Sequence, residues 1–250
     1  VNIDLNQVFH LHNTAEPKIT VVCKKLPKEL ISDVNSILEI DESDKVLGHE
    51  LFQGGDKEVY NMSTDIFVVD TPFLIEKLEE EAAKEEPRKL RYVLRDLAVA
   101  ENAFAYEYTG YLSNIHSVKA YFDANLDMLE SQKFYSLFAP NQKVYTKVKN
   151  EEPTYYADSS DVKVSQFASG SIVRGKVEHS VISRNVDLAE GSSVDHSVLF
   201  PRVKVGKGAT VEYAIVDKGV EIAEGVTIRG TENNPVVIKK GSVVTEDIVR

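Results

Sequence analysis

With a single cysteine, Cys23, the sequence cannot carry a disulfide framework, because every bridge needs a partner. Cys23 lies in the apolar run ITVVCKK, which reads as a buried strand, so a structural thiol in a reducing cytoplasm is the expected role. No apolar run is long enough to span a membrane, and no signal peptide is visible. Basic residues are in short supply. The 29 Lys and Arg face 40 Asp and Glu, and the resulting net charge of -11 argues against a nucleic-acid partner, whose phosphates need a basic surface. Tryptophan is absent, and the composition is otherwise that of an ordinary soluble globular protein. At 250 residues the chain can bury one large core or two modest ones. It opens on VNIDLNQVF without methionine, which suggests a fragment or processed product.

What is present falls into two parts with different patterning. Residues 1–135 alternate helical and strand-like segments, which predicts a layered α/β domain with a mostly parallel sheet. Asp4, with Gln7 three residues on, resembles a capping box opening a helix that carries Leu5, Val8 and Phe9 on one face. Lys18–Cys23 reads as a strand covered on both faces, and ISDVNSILEI, the turn-forming DESDK and VLGHELF as a hairpin. NMSTDIFVVD is a further strand, ended by Asp70 and Thr71-Pro72, an N-cap and first turn for PFLIEKLEEEAAKEE, whose acidic run reads as a solvated face. RKLRYVLRDLAVA is helical, AFAYEY is a strand, and SVKAYFDANLDMLESQKF is a helix capped by Ser117. Residues 136–160, with two prolines, mixed charge and no period, read as a linker.

From Ser169 the chain repeats in blocks of seventeen: SGSIVRGKVEHSVISRN, VDLAEGSSVDHSVLFPR, VKVGKGATVEYAIVDKG and VEIAEGVTIRG. Val177, Val194 and Val211 align, each followed by an acid; Val181, Val198 and Ile215 align, as do Leu188, Val205 and Ile222, and Gly191, Gly208 and Gly225. Such a period marks a solenoid whose coils stack aliphatic side chains inside and turn at glycines. Aliphatic positions six apart resemble the hexapeptide repeat of left-handed parallel β-helices, so residues 161–250 are expected to form one. His179 and His196 share a column with Tyr213. A catalytic base should be singular, so this column reads as a half-solvated rung rather than as an acyltransferase site.

An α/β half followed by this β-helix resembles the sugar-nucleotide pyrophosphorylases, and more narrowly the glucose-1-phosphate adenylyltransferase (ADP-glucose pyrophosphorylase) family. NMSTDIFVVD is similar to the family's SMGIYVFD, YVLRDLAV to FGKDIIP, and GYLSNIHSVKAYFDANLDML to GYWRDVGTLDAYWKANLDL. The resemblance covers nearly the whole chain but not the family's glycine-rich nucleotide loop, GGxGxRL, nor the metal-binding Asp expected just before Val1. It therefore implies the C-terminal part of a nucleotidyltransferase Rossmann-like domain followed by the β-helix.

The departures fall on the positions that carry the family's chemistry. Adenylyl transfer from ATP to glucose 1-phosphate uses Mg²⁺ held by carboxylates, and the Asp of W-R-D-V-G-T supplies one of them. Here Asn114 stands in its place, with Leu112 for the Trp, Ser113 for the Arg and His116 for the Gly. Phe52 occupies the place of the Lys in the EKP motif, which holds the sugar phosphate. Of SMG only Ser63 survives, with Thr64 and Asp65 following, and Arg95 replaces the Lys of FGKD. Asp65 would repel a nearby phosphate. The resemblance thus implies a GlgD-type regulatory subunit in bacterial glycogen biosynthesis, with no catalytic residues and no cofactor of its own. Mg²⁺ is expected only in a catalytic GlgC-type partner, joined in a heterotetramer, with homo- or hetero-oligomer contacts through the β-helix and without membrane or nucleic acid. The alternative is a weakly active nucleotidyltransferase making ADP-glucose with Asp4 or Asp65 recruited to the metal, and a third is an acyltransferase or pure assembly module. The basic residues Lys204, Lys207, Lys239 and Lys240 are scattered and identify no effector.

Overall fold

A computed structural model describes residues 1–138 and 142–250, which form two compact units, Val1–Asn114 and Ile115–Arg250. The division falls before the boundary at 135 expected from the sequence. The reason is that the helix after Ser117 packs its buried Phe122 on Val198 and Ile215 of the solenoid.

In the first unit, helix α1 (Leu5–Ala15) leads into strand β1 (Ile19–Pro27), followed by β2 (Ser36–Ile40), β3 (Val46–Leu51), β4 (Val59–Val69), α2 (Thr71–Ala82), α3 (Leu90–Ala100) and β5 (Phe104–Glu107). The strands form one sheet in the order β3-β2-β4-β1-β5. Only β1 and β5 run parallel. β1–β4, β2–β4 and the β2–β3 hairpin are antiparallel, so the expected mostly parallel sheet is in fact mixed. The long β4 returns directly alongside β1 instead of crossing over a helix, and that placement reverses the polarity. β1 is covered on both faces as its apolar run predicts. Ile19, Val21 and Cys23 pack with Ala98 and Leu97 of α3, while Val22 packs with Val8 of α1. Burial pushes the Cys23 thiol up to about 12, consistent with an inert core residue.

Three local expectations need correction. Asp4 caps α1 by accepting from the Asn6 N–H, but the helix buries Val8 and His12 and leaves Leu5 and Phe9 exposed. Glu81, within the acidic run, is buried rather than solvated. Its carboxylate accepts from Nε (3.0 Å) and the backbone N–H (2.9 Å) of Arg88 and pairs with Lys84, and these bonds hold it down to about 2. The helix capped by Ser117, α4 (Val118–Leu126), ends in a 3₁₀ turn at Asp127–Leu129 before a short α5 (Ser131–Leu137), so it is not continuous to Phe134.

The second unit is dominated by a parallel β-helix of three sheets with six, five and six short strands among the described residues. It begins inside the expected linker, since Tyr155–Tyr156 already pairs with Ile172–Val173; residues 139–141 of that linker lie outside the described residues. The seventeen-residue register holds. Val177 pairs with Val194, Val194 with Val211 and Val211 with Ile228, and Leu188 continues through Val205 to Ile222. One column departs from the expectation. Val181, Val198 and Ile215 stack in register but on the outside, where α4 covers two of them, and the adjacent Ile182, Leu199 and Val216 fill the interior.

Turns are also less glycine-dependent than the sequence suggests. Gly191, Gly208 and Gly225 adopt the left-handed conformation at one corner (φ 73°, 66° and 73°), but His179, His196 and Tyr213 do so at another (φ 42°, 39° and 47°). A serine ladder secures this second corner. Ser165 Oγ accepts from the Ser180 N–H, Ser180 Oγ from Ser197 N–H and Ser197 Oγ from Ala214 N–H, each at 3.1 Å. Each hydroxyl donates in turn to a carbonyl two residues back, at 2.6–2.7 Å. No helix among the described residues is long and apolar enough to cross a membrane.

Ser197→Ala leaves the buried Ala214 N–H without its acceptor, and should lower unfolding stability by about 1–3 kcal/mol. Urea denaturation checks this as a lower midpoint at unchanged slope.

Candidate functional site

The positions singled out by sequence lie in the first unit and gather into two clusters. The first is built on the segment before β2 and the loop after β5. Asn114 Nδ2 donates at 2.8 Å to the Leu30 carbonyl and at 2.8 Å to Asn35 Oδ1. Because a backbone carbonyl can only accept, the first bond fixes which end of the amide faces inward. Asn35 Oδ1 also accepts from the N–H and hydroxyl of Ser32, and the Asn35 carbonyl accepts from the Phe52 N–H at 2.9 Å. Asn114 and Phe52 are thus tied to the same residue. The Phe52 ring is buried with Leu26, Ile31 and Met62, meets Tyr60 edge-on at 5.1 Å, and shares its cluster with Leu112. Ser113 is half-buried beside them.

The second cluster forms around a bulge in β4. Val22 of β1 pairs with Ile66 and Cys23 with Ser63, so Thr64 and Asp65 are extra residues without partners in the ladder. Thr64 Oγ1 donates to the Val22 carbonyl at 2.9 Å, and Ser63 Oγ accepts from the Asp65 N–H at 3.3 Å. Asp65 adopts φ 55°, a region that Asp tolerates better than most residues. Its carboxylate meets Arg91 at 3.1 Å and the buried Arg95 at 3.3 Å. The charge that the sequence reading set against a phosphate is therefore engaged by two guanidinium groups of α3.

Two contributors escaped the sequence reading. Arg91 and Arg95 are four apart on α3 and share a face, a spacing that could have revealed the pair. His49 carries no such signal. Both of its ring nitrogens are buried without a hydrogen-bond partner, as is Arg95 Nε, and the ring stacks on Phe67 at 6.2 Å. Burial, reinforced by the Arg95 charge, pushes His49 down to about 4. Asp4, a candidate for recruitment to a metal, is committed to capping α1.

The arrangement binds itself. Neither cluster offers a carboxylate free to hold a hard divalent cation, and the residues present do not fit Mg²⁺: Asn114 presents donors to protein oxygens, and Phe52 is apolar.

Two outcomes follow from this geometry. Asn114→Asp replaces two donated bonds by a carboxylate facing the Leu30 and Asn35 oxygens, and should lower stability by about 1–2 kcal/mol in urea titrations. For His49, the folded protein keeps the ring neutral down to about pH 4, whereas the unfolded chain takes up a proton near 6.5. Below 6.5 the unfolded state binds more protons, so stability drains away as pH falls from 6.5 to about 4. His49→Phe should flatten the wild-type decline in thermal midpoint across that window.

Residues 148–249 match the family model described as GlmU-like, C-terminal hexapeptide. The glycogen biosynthesis protein GlgD of Bacillus subtilis (strain 168) is 34% identical over 197 residues, covering 79% of this chain and 55% of that protein. GlgD of Geobacillus stearothermophilus is 54% identical over 127 residues, 51% of this chain and 37% of that protein. The glucose-1-phosphate adenylyltransferase of Thermosipho africanus (strain TCF52B) is 26% identical over 203 residues, 77% and 47% respectively. The chain spans about half the length of the curated relatives it matches. Its α/β unit, its hexapeptide β-helix and these likenesses together mark it as similar to GlgD-type proteins and, at lower identity, to glucose-1-phosphate adenylyltransferases.

Proposed function

We propose that this chain is part of a non-catalytic, regulatory subunit of ADP-glucose pyrophosphorylase, acting in glycogen biosynthesis by modulating a catalytic GlgC-type partner. The observation that carries the reading is the Asn114 amide. Its Nδ2 donates to two protein oxygens, while its Oδ1 accepts from Asn35 Nδ2 at 3.5 Å, at the position where the family resemblance puts a metal-binding carboxylate. The neighbouring losses support it. Phe52 is packed in an apolar cluster instead of reaching for a sugar phosphate, and Arg91 and Arg95 are both paired with Asp65. On this reading Mg²⁺ and both substrates belong to the partner's site, and the subunit acts through contacts.

The β-helix is the element suited to those contacts. Its interior is a continuous aliphatic stack, and its last rungs expose Val237, Val243 and Val249. A prism of fixed cross-section presents such side chains at constant spacing, which suits packing against a second prism.

The test is co-expression of the full-length subunit with its catalytic partner. The expected result is a stable complex in which the partner's rate or substrate affinity changes. Absence of association and unchanged kinetics would refute the proposal. In the subunit alone, Asn114→Asp should leave ADP-glucose synthesis undetectable, since Phe52 and Ser113 still lack the charges that hold a sugar phosphate; robust synthesis by that variant would also refute it.

A further inference from the structure

One corner of the β-helix carries chemistry that subunit packing does not use. Successive coils place Glu178-His179, Asp195-His196 and Glu212-Tyr213 one above another. The two imidazoles stack at 4.7 Å between centroids with planes 20° apart, and Tyr213 continues the stack at 4.9 Å and 18°. The three acids of this column differ in their partners. Glu178 pairs with Lys176 at 3.1 Å, and Glu212 pairs with Arg229. Asp195 lies between them, and among the described residues no lysine or arginine pairs with it. Its contact is His196, whose Nδ1 lies 2.9 Å from Asp195 Oδ1.

We propose that His179, His196 and Asp195 form a binding site for a borderline transition-metal cation of the zinc type, held across two adjacent coils. One ligand atom from each of the three residues lies within 4.8 Å of the others. Tetrahedral zinc with bonds of about 2.0–2.1 Å needs donors about 3.3 Å apart, so rotation of one ring is required to close the set. His179 is the ring free to make it, because its Nδ1 stands 4.0 Å from Glu178 Oε1, beyond hydrogen-bond reach. The backbone beneath is fixed by the Ser180–Ser197 ladder bond and by Val177 and Val194, both fully buried. The side chains are a third to two-fifths exposed (33% for His196, 38% for Asp195 and 41% for His179), so an ion can arrive from solvent and water can complete its shell. Two imidazoles with one carboxylate favour zinc, cobalt, nickel or copper over magnesium. The cations beside this column are engaged with acids: Lys163 at 3.6 Å to Asp161, Lys176 at 3.1 Å to Glu178, and Arg229 with Glu212.

The test is a titration of the intact chain with Co²⁺ followed by visible absorption, with Zn²⁺ and Mg²⁺ as competitors. The expected result is one saturable equivalent with ligand-field bands, displaced by Zn²⁺ and indifferent to Mg²⁺. Tyr213 shows that the corner accepts an aromatic ring without ring nitrogens, so His179→Phe and His196→Phe keep the stack while removing a ligand. Each should weaken binding by more than about tenfold. Circular dichroism and thermal midpoints of both variants establish that they are folded. Absence of saturable binding, or binding unchanged in two folded variants, would overturn the proposal.

Discussion

The loop after β5 is tied to the segment before β2 by two short hydrogen bonds, both donated by the Asn114 side chain at 2.8 Å. A carboxylate at that position would face the Leu30 carbonyl and an Asn35 oxygen already accepting from Ser32. The local electrostatics therefore select an amide and disfavour the acid that metal chemistry requires. Through Asn35 the same bonds reach the Phe52 backbone, so the ring enters its apolar cluster from a fixed position. At the positions that the family resemblance makes ligands, Asn114 and Phe52 serve hydrogen bonding and packing within the protein.

The bulge in β4 extends this logic to charge. Inserting Thr64 and Asp65 between paired residues turns Asp65 toward α3, where one carboxylate serves Arg91 and the buried Arg95. A buried guanidinium without a partner would be expensive, so the pairing of Asp65 with Arg95 stabilises the helix–sheet contact. His49, neutral and without a hydrogen-bond partner beneath them, shows how apolar this side of the sheet has become.

How much of this was legible beforehand varies with the physics. The β-helix was, because identical rungs must recur at a fixed spacing and Val177, Val194 and Val211 display that spacing openly. Which aliphatic column faces inward was not: Val198 and Ile215 are as apolar as Leu199 and Val216, and only the docking of Phe122 shows why the outer column is greasy. Sheet polarity was hidden because an apolar run reads the same in either direction, and the return of β4 beside β1 is a non-local choice. At the site, the sequence displays an amide at 114 but not the bonds it makes, since Leu30 and Asn35 lie about eighty residues away. Glu81 misled for a similar reason, because its burial depends on Arg88 closing over it.

The central claim is that Asn114, Phe52, Asp65 and Arg95 are occupied with other groups of the protein. It is tested most directly by titrating the isotope-labelled protein with glucose 1-phosphate and Mg²⁺ while following the side-chain amide resonances of Asn114 and Asn35. The account predicts no saturable shift of either signal. A saturable shift of both, abolished by altering Asp65 or Arg95, would show a working sugar-phosphate site and contradict it.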